Sequence, residues 1–175
     1  MSGVGAVTIV CDTSPLNYLV LVHSIEVLPT LFSELYTTSE VIGELRHARA
    51  PELVRRWAQR LPAWLHVAPA DGTATAPARL GAGETSAVFL AKALRARWVL
   101  MDDRDGARFA VEQGLRVIGT LAVLEQAACQ DLLDLPSVLH RLQATTFRIS
   151  LPLIRAALER GAARKAGRSS FPGDT

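Results

Sequence analysis

Residues 98–110 read WVLMDDRDGARFA, an apolar run that stops abruptly at three carboxylates within four positions, Asp102, Asp103 and Asp105. A short apolar run with β-branched and aromatic members, closed by charge, reads as a buried strand. The following RDGARFAVEQG (104–114) spaces its apolar residues at three and four, as a helix does. The same succession recurs along the chain. AVTIVCD (6–12), LYTTS (35–39), WLHVAPA (64–70) and LRVIGT (115–120) are further strand candidates. SPLNYLVLVHSIEVLPTLF (14–32), SEVIGELRHA (39–48), PELVRRWAQRL (51–61) and GETSAVFLAKALRA (83–96) have helical spacing. The strands are nearly continuous apolar runs, not in-and-out alternations, so both of their faces must be covered. The expected fold is α/β: a three-layer α/β/α sandwich around a central parallel sheet. Local signals agree, with Ser39 opening one helix, Gly114 as a C′ glycine and Thr120 capping LAVLEQAA.

The chain has 175 residues, enough for one domain with a core that needs no disulfide or metal to close. Its apolar residues make up 49% and its charged residues 21%, the balance of a folded chain and not of a disordered one. No stretch approaches the roughly 18 uninterrupted apolar residues of a membrane span. The apolar start MSGVGAVTIVCD lacks a basic leader and meets Asp12 too soon for a signal peptide, and reads as a first strand. Cys11 and Cys129 lie in distant apolar segments and read as two buried thiols, which places the expected compartment in the cytoplasm. Residues 146–175 carry Arg148, Arg155, Arg160, Arg164, Lys165 and Arg168 against Glu159 and Asp174. That surplus of +4 within a net charge of +2 leaves the rest slightly acidic, a pattern that fits either an anionic partner or a solvated helix end. We expect one domain over residues 1–161 and a basic, frayed tail over 162–175, separate from a small-residue loop at 70–83.

In an open parallel sheet, ligands gather where strands end and helices begin. Asp12 ends the first strand, Asp102 and Asp103 end the fourth, Glu84 opens the helix after the glycine loop and Glu44 lies on the helix after the second strand. Taken singly, each has a plain structural use. Asp12 would cap a helix, Glu84 would favour a helix N-terminus, and Glu40 and Glu44 would face water one turn apart. Asp105 reads as the first-turn acid of its helix, and one such acid suffices, so the preceding doublet needs another reason. Carboxylates delivered to one edge from separate segments repel unless a cation neutralises them. Mg2+ or Mn2+ takes oxygen ligands from one or two carboxylates and substrate phosphates, and supports in-line displacement at phosphorus by water.

Other chemistries lack their residues. His23, His47, His66 and His140 show no zinc-ligand spacing, and GAGETS lacks the lysine and the preceding strand of a phosphate-binding loop. There is no G-x-S-x-G elbow. DTS lacks the second aspartate of phosphotransferases similar to haloacid dehalogenases, and DRD would need a first-strand glutamate to resemble a Toprim site.

VCDTSPLNYLVLV, TTSEVIGELRHA, LGAGETSAVFLAKAL and WVLMDDRDGARFAVEQGLRVIGTLAVL, in this order and spacing, resemble the PIN domain. The nearest likeness is to the branch labelled DUF3368, related to the VapC toxins, and it runs from about residue 7 to 160, through LHRLQATTFRISLPLIRAAL. The resemblance implies an α/β/α ribonuclease whose acids bind Mg2+ or Mn2+. It makes Asp12, Glu44 and Glu84 metal ligands and puts a fourth at Asp102 or Asp103, with Thr13 and Ser14 beside the first acid. It also implies a small antitoxin partner and a homodimer. Apolar residues in excess of one core-facing stripe on 17–32 and 51–61 fit such an interface, or simply deep burial.

The sequence thus points to a metal-dependent endoribonuclease, the toxin of a toxin–antitoxin pair, whose product carries a 5′-phosphate. Arg46, Arg104 and Arg108 are within reach of RNA phosphates or are solvated. The runner-up is a PIN-fold module that binds RNA or protein with little turnover, and a third reading is a structure-specific DNA nuclease.

Overall fold

The computed structural model describes residues 7–71 and 77–167. Five parallel strands form one sheet in the order β3-β2-β1-β4-β5, with β1 at Thr8–Cys11, β2 at Glu34–Thr37, β3 at Leu65–Val67, β4 at Trp98–Leu100 and β5 at Val117–Ile118. All five expected strands are present, each shorter than its apolar run, because the residues past the last paired position turn into loops and helices. The central strand is sealed: Ile9, Val10 and Cys11 have no exposed surface.

Side chains of alternate residues leave a strand on opposite faces, and here they found two cores. Ile9, Cys11, Leu35, Trp98 and Leu100 point into one, packed against helices α1 (Thr13–Leu21), α3 (Ser39–Arg46), α4 (Glu52–Gln59), α7 (Thr120–Cys129), α8 (Leu135–Gln143) and α9 (Leu151–Gly167). Val10, Val99 and Met101 point into the other, under α5 (Ala82–Leu94) and α6 (Arg104–Glu112). This is the three-layer α/β/α arrangement. The chain runs outward from β1 to β2 and β3, then returns to lay β4 on the other side of β1. Connections diverging from neighbouring strands β1 and β4 open a crevice at their carboxyl ends.

Three local expectations change. The segment 14–32 is not one helix. α1 closes in a Schellman motif, with His23 at φ 55° and the Ser24 and His23 N–H groups donating to the Leu19 and Val20 carbonyls, before a 3₁₀ turn at Ile25–Val27 and the short α2 (Leu28–Leu31). Thr38, not Ser39, caps α3, its hydroxyl accepting from Val41 N–H at 3.2 Å. Gly119, not Thr120, holds the N-cap position of α7. Gly114 does sit at C′ of α6 with φ 80°.

The apolar surplus of 17–32 and 51–61 is largely absorbed by the core, and among their large apolar side chains only Leu53 is exposed. Both cysteines are buried. No helix among the described residues is long and apolar enough to cross a membrane.

Residues 162–167, expected to fray, continue α9, while 168–175 lie outside the described residues. Ile154 and Ala157 seat α9 on the core, and a carboxylate of α7 grips its later turns: Glu125, 2% exposed, accepts from Arg160 at 2.7 and 3.2 Å, and Arg164 lies 3.4 Å away. Lys165 adds an exposed pair with Asp131. Removing one member of a buried pair strands the other's charge. Glu125→Ala should therefore lower unfolding free energy by roughly 2–3 kcal/mol, the lower end because Arg160 reaches water. Urea denaturation followed by circular dichroism would measure it, and a loss below about 0.5 kcal/mol would mean that α9 is held by apolar contact alone.

Candidate active site

The edge is built outward from the end of β1. The Asp12 N–H donates to the Leu100 carbonyl at 2.9 Å, and the Thr37 hydroxyl donates to the Cys11 carbonyl at 2.9 Å. The backbone carrying Asp12 is thereby tied to both neighbouring strands. Its side chain is 1% exposed, occupies the N-cap position of α1 without making the cap hydrogen bond, and leaves Oδ1 with no partner. A cap that does not cap needs another explanation. Burial pushes the Asp12 carboxyl up to about 7, the Thr13 N–H opposes the rise, and the negative charges of Glu84, Glu44 and Asp102 add to it.

Glu44 and Asp102 are held by donors from other elements, and Glu84 by the N-cap of its own helix. Glu44, exposed on α3, accepts from the Thr13 hydroxyl and, at 2.8 Å, from the Gly83 N–H at the start of α5. The approach requires glycine: a Cβ on Gly83 would stand 2.6 Å from Glu44 Oε2 and 2.8 Å from Thr13 Oγ1. Glu84, at N3 of α5, reaches back to the Gly81 N–H at 3.0 Å. Burial raises its pKa, the Gly81 N–H works against this, and Asp103, Glu44 and Asp105 push it further up. Asp102 accepts from Thr120 twice, from the N–H at 2.8 Å and from the hydroxyl at 2.6 Å. Burial raises the Asp102 pKa and the two Thr120 bonds oppose it.

The doublet divides its labour. Asp103 is exposed and is the N-cap of α6, accepting from Asp105 N–H at 2.8 Å and Gly106 N–H at 3.0 Å. Asp105 lies in the first turn, paired with Arg108. Asp102 is half-buried and is the member whose charge reaches Asp12. Glu40 lies on α3 and hydrogen-bonds Ser39 instead of joining the acids. Ser14 lines an open cavity together with Asp102 and Asp103. On the other side a cleft of about 560 Å³ is lined by Glu40, Glu44, His47 and Arg49.

Sequence reasoning overlooked Thr120 and Gly83. The first looked like a helix cap and the second like loop filler, and the signal for both is a small residue opening a helix opposite an acid that was already suspected.

Among the described residues no group of three or more His, Cys, Asp or Glu side chains stands ready to hold a metal ion. Internal donors account for where the outer acids point. The chemistry of the donor set nonetheless fits a hard cation: all donors are oxygens, Asp12 Oδ1 is buried without a partner, and one or two carboxylates suffice for Mg2+ when waters complete the shell.

The sign of the Asp12 shift has a measurable outcome. Between its ordinary value of 3.8 and about 7 the folded chain holds a proton that the unfolded chain releases, so stability falls as pH rises through that window. In metal-free buffer the parent should melt lower at pH 8 than at pH 5. Asp12→Asn should show a flatter profile and melt higher than the parent at pH 8, and equal slopes would contradict a buried charge. Gly83→Ala should lose thermal stability beyond the few tenths of a kcal/mol of a neutral surface change, since Glu44 or Thr13 must move.

A family model described as DUF3368, a PIN domain, matches residues 8–162. No curated protein matches the chain.

Proposed function

The chain belongs to the PIN domain family, whose members are generally nucleases, and from that premise we propose that it is a metal-dependent endoribonuclease whose acids hold Mg2+ or Mn2+. The observation that carries the reading is Asp12: a sealed carboxylate with an orphaned oxygen, its pKa raised by burial and further by three neighbouring acids, at the crevice of the sheet. An ionised group in that position is stable only beside a positive charge.

Asp12, with one or more of Glu44, Glu84 and Asp102 beside it, would hold the ion, which when bound supplies charge neutralisation at a phosphodiester and a more acidic water. The rest falls to the chain itself. Thr13 and the Gly83 N–H fix Glu44, and Thr120 fixes Asp102. Burial keeps the Asp12 carboxylate poorly hydrated and so ready to exchange a proton for a cation near neutral pH. Asp103 caps α6, which supports Asp102 as the ligand of the doublet.

Purified protein given Mn2+ at pH 8 should melt higher and cut single-stranded RNA, and Asp12→Asn should lose both responses. A parent-like Asp12→Asn would sink the proposal. Within the doublet, Asp102→Asn should abolish cleavage. Asp103→Ala should cost about 1 kcal/mol of stability, the usual loss of a cap, and retain most of the activity. Thr120→Val should reduce Mn2+ affinity or cleavage by about 10–100-fold, as loss of a residue orienting a ligand does.

The roles of toxin, antitoxin partner and homodimer belong to the same proposal and are supported by the family resemblance, and the cytoplasmic location by the two buried cysteines. Growth arrest on expression of the parent but not of Asp12→Asn, relieved by a neighbouring gene product, tests the first two. Light scattering tests the third.

A further inference from the structure

The acids border a space that they do not fill. A cavity of about 400 Å³ runs from Ser14, Asp102 and Asp103 to the connection between α8 and α9, within the ~300–1,000 Å³ usual for small-ligand sites. Its walls are of another character from its floor. Leu121 of α7 and Leu153 of α9 line it, and Leu153 remains 40% exposed. Tyr18 and Phe147 stand edge to face, their ring centres 4.9 Å apart, and the Tyr18 hydroxyl lies 3.2 Å from that of Thr146. At the rim is Arg148, exposed and, among the described residues, without an ion-pair partner.

Apolar walls, an acidic floor and a free cation at the rim ask for a ligand with a flat uncharged part and an anionic part. An acidic peptide would bring its charge to the floor, and a plain aliphatic ligand would leave Arg148 unused. A nucleotide meets all three demands, with its base between the leucines and its phosphate toward the rim. We propose that this cavity receives the unpaired base of the nucleotide adjoining the scissile phosphate, with Arg148 on the backbone phosphate beyond it. The scissile phosphate rests on the nuclease reading above, whereas the base pocket does not. A base held in a duplex cannot enter, so the pocket also selects for single strands.

Fluorescence anisotropy on the full chain with Ca2+ present, using a labelled single-stranded oligoribonucleotide and the same chain with abasic sugars, reads the pocket without turnover. The intact strand should bind the parent about tenfold more tightly than the abasic one, within the range of stacking on protein side chains. Leu153→Asn should bring that ratio close to one. Arg148→Gln, at an exposed position that cannot unfold the chain, should weaken both strands about equally and keep the ratio. A parent ratio near one, or a ratio unchanged by Leu153→Asn, overturns the proposal. Base preference without Mn2+-dependent cleavage would retain the pocket and remove the nuclease, and cleavage without base preference would do the reverse.

Discussion

A carboxylate sealed at the end of the central strand sets the terms for everything around it. The main chain at Asp12 is pinned by its N–H bond to β4, and the residue is scarcely hydrated, because only 1% of it meets water. Three more acids surround it, and the fold tolerates them by pointing helix starts at them. The N-terminal ends of α1, α5, α6 and α7 all open at this edge, and their unpaired N–H groups carry the positive end of each helix dipole. Gly81, Gly83, Asp105, Gly106 and Thr120 supply such groups directly to Glu84, Glu44, Asp103 and Asp102. The topology that delivers the acids therefore also delivers their partial compensation. Asp12 receives the Thr13 N–H yet keeps a buried oxygen, Oδ1, without a partner, which is why the chemistry is assigned to its position.

The fold was legible because parallel strands buried on both faces are written as unbroken apolar runs, and β1 and β4 are of this kind throughout. Helices with a clear polar face, such as α4 and α6, were equally plain. What misled was geometry at single residues. Thr38 and Ser39 both carry hydroxyls, and only the turn of the backbone decides which one caps. The run 14–32 is apolar enough to read as one helix, yet His23 adopts a left-handed conformation that no composition signal marks, since glycine or asparagine is the usual occupant.

For the site, residue types at strand ends identified the acids, but not their orientation. Asp102 and Asp103 are chemically the same. Their difference lies in what stands opposite: the start of α6 next in the chain for Asp103, and Thr120, eighteen residues on, for Asp102. A contact across two strands has no local signature. Gly83 was equally silent, because its value lies in the absence of a side chain where Glu44 must pass. The extension of α9 was hidden for a similar reason: a basic tail looks solvated until a buried acid is found beneath it, and Glu125 sits in a helix with no other charged residue.

That buried acid has a wider consequence. Glu125 grips α9 near its end, at Arg160 and Arg164, while the first turn of the same helix contributes Leu153 to the space beside the acids. Anchor and working end are thus separated along one rigid rod. Phe147 and Ile149 are bound to the core, whereas the exposed Arg148 and Leu153 can change without disturbing the acids beneath.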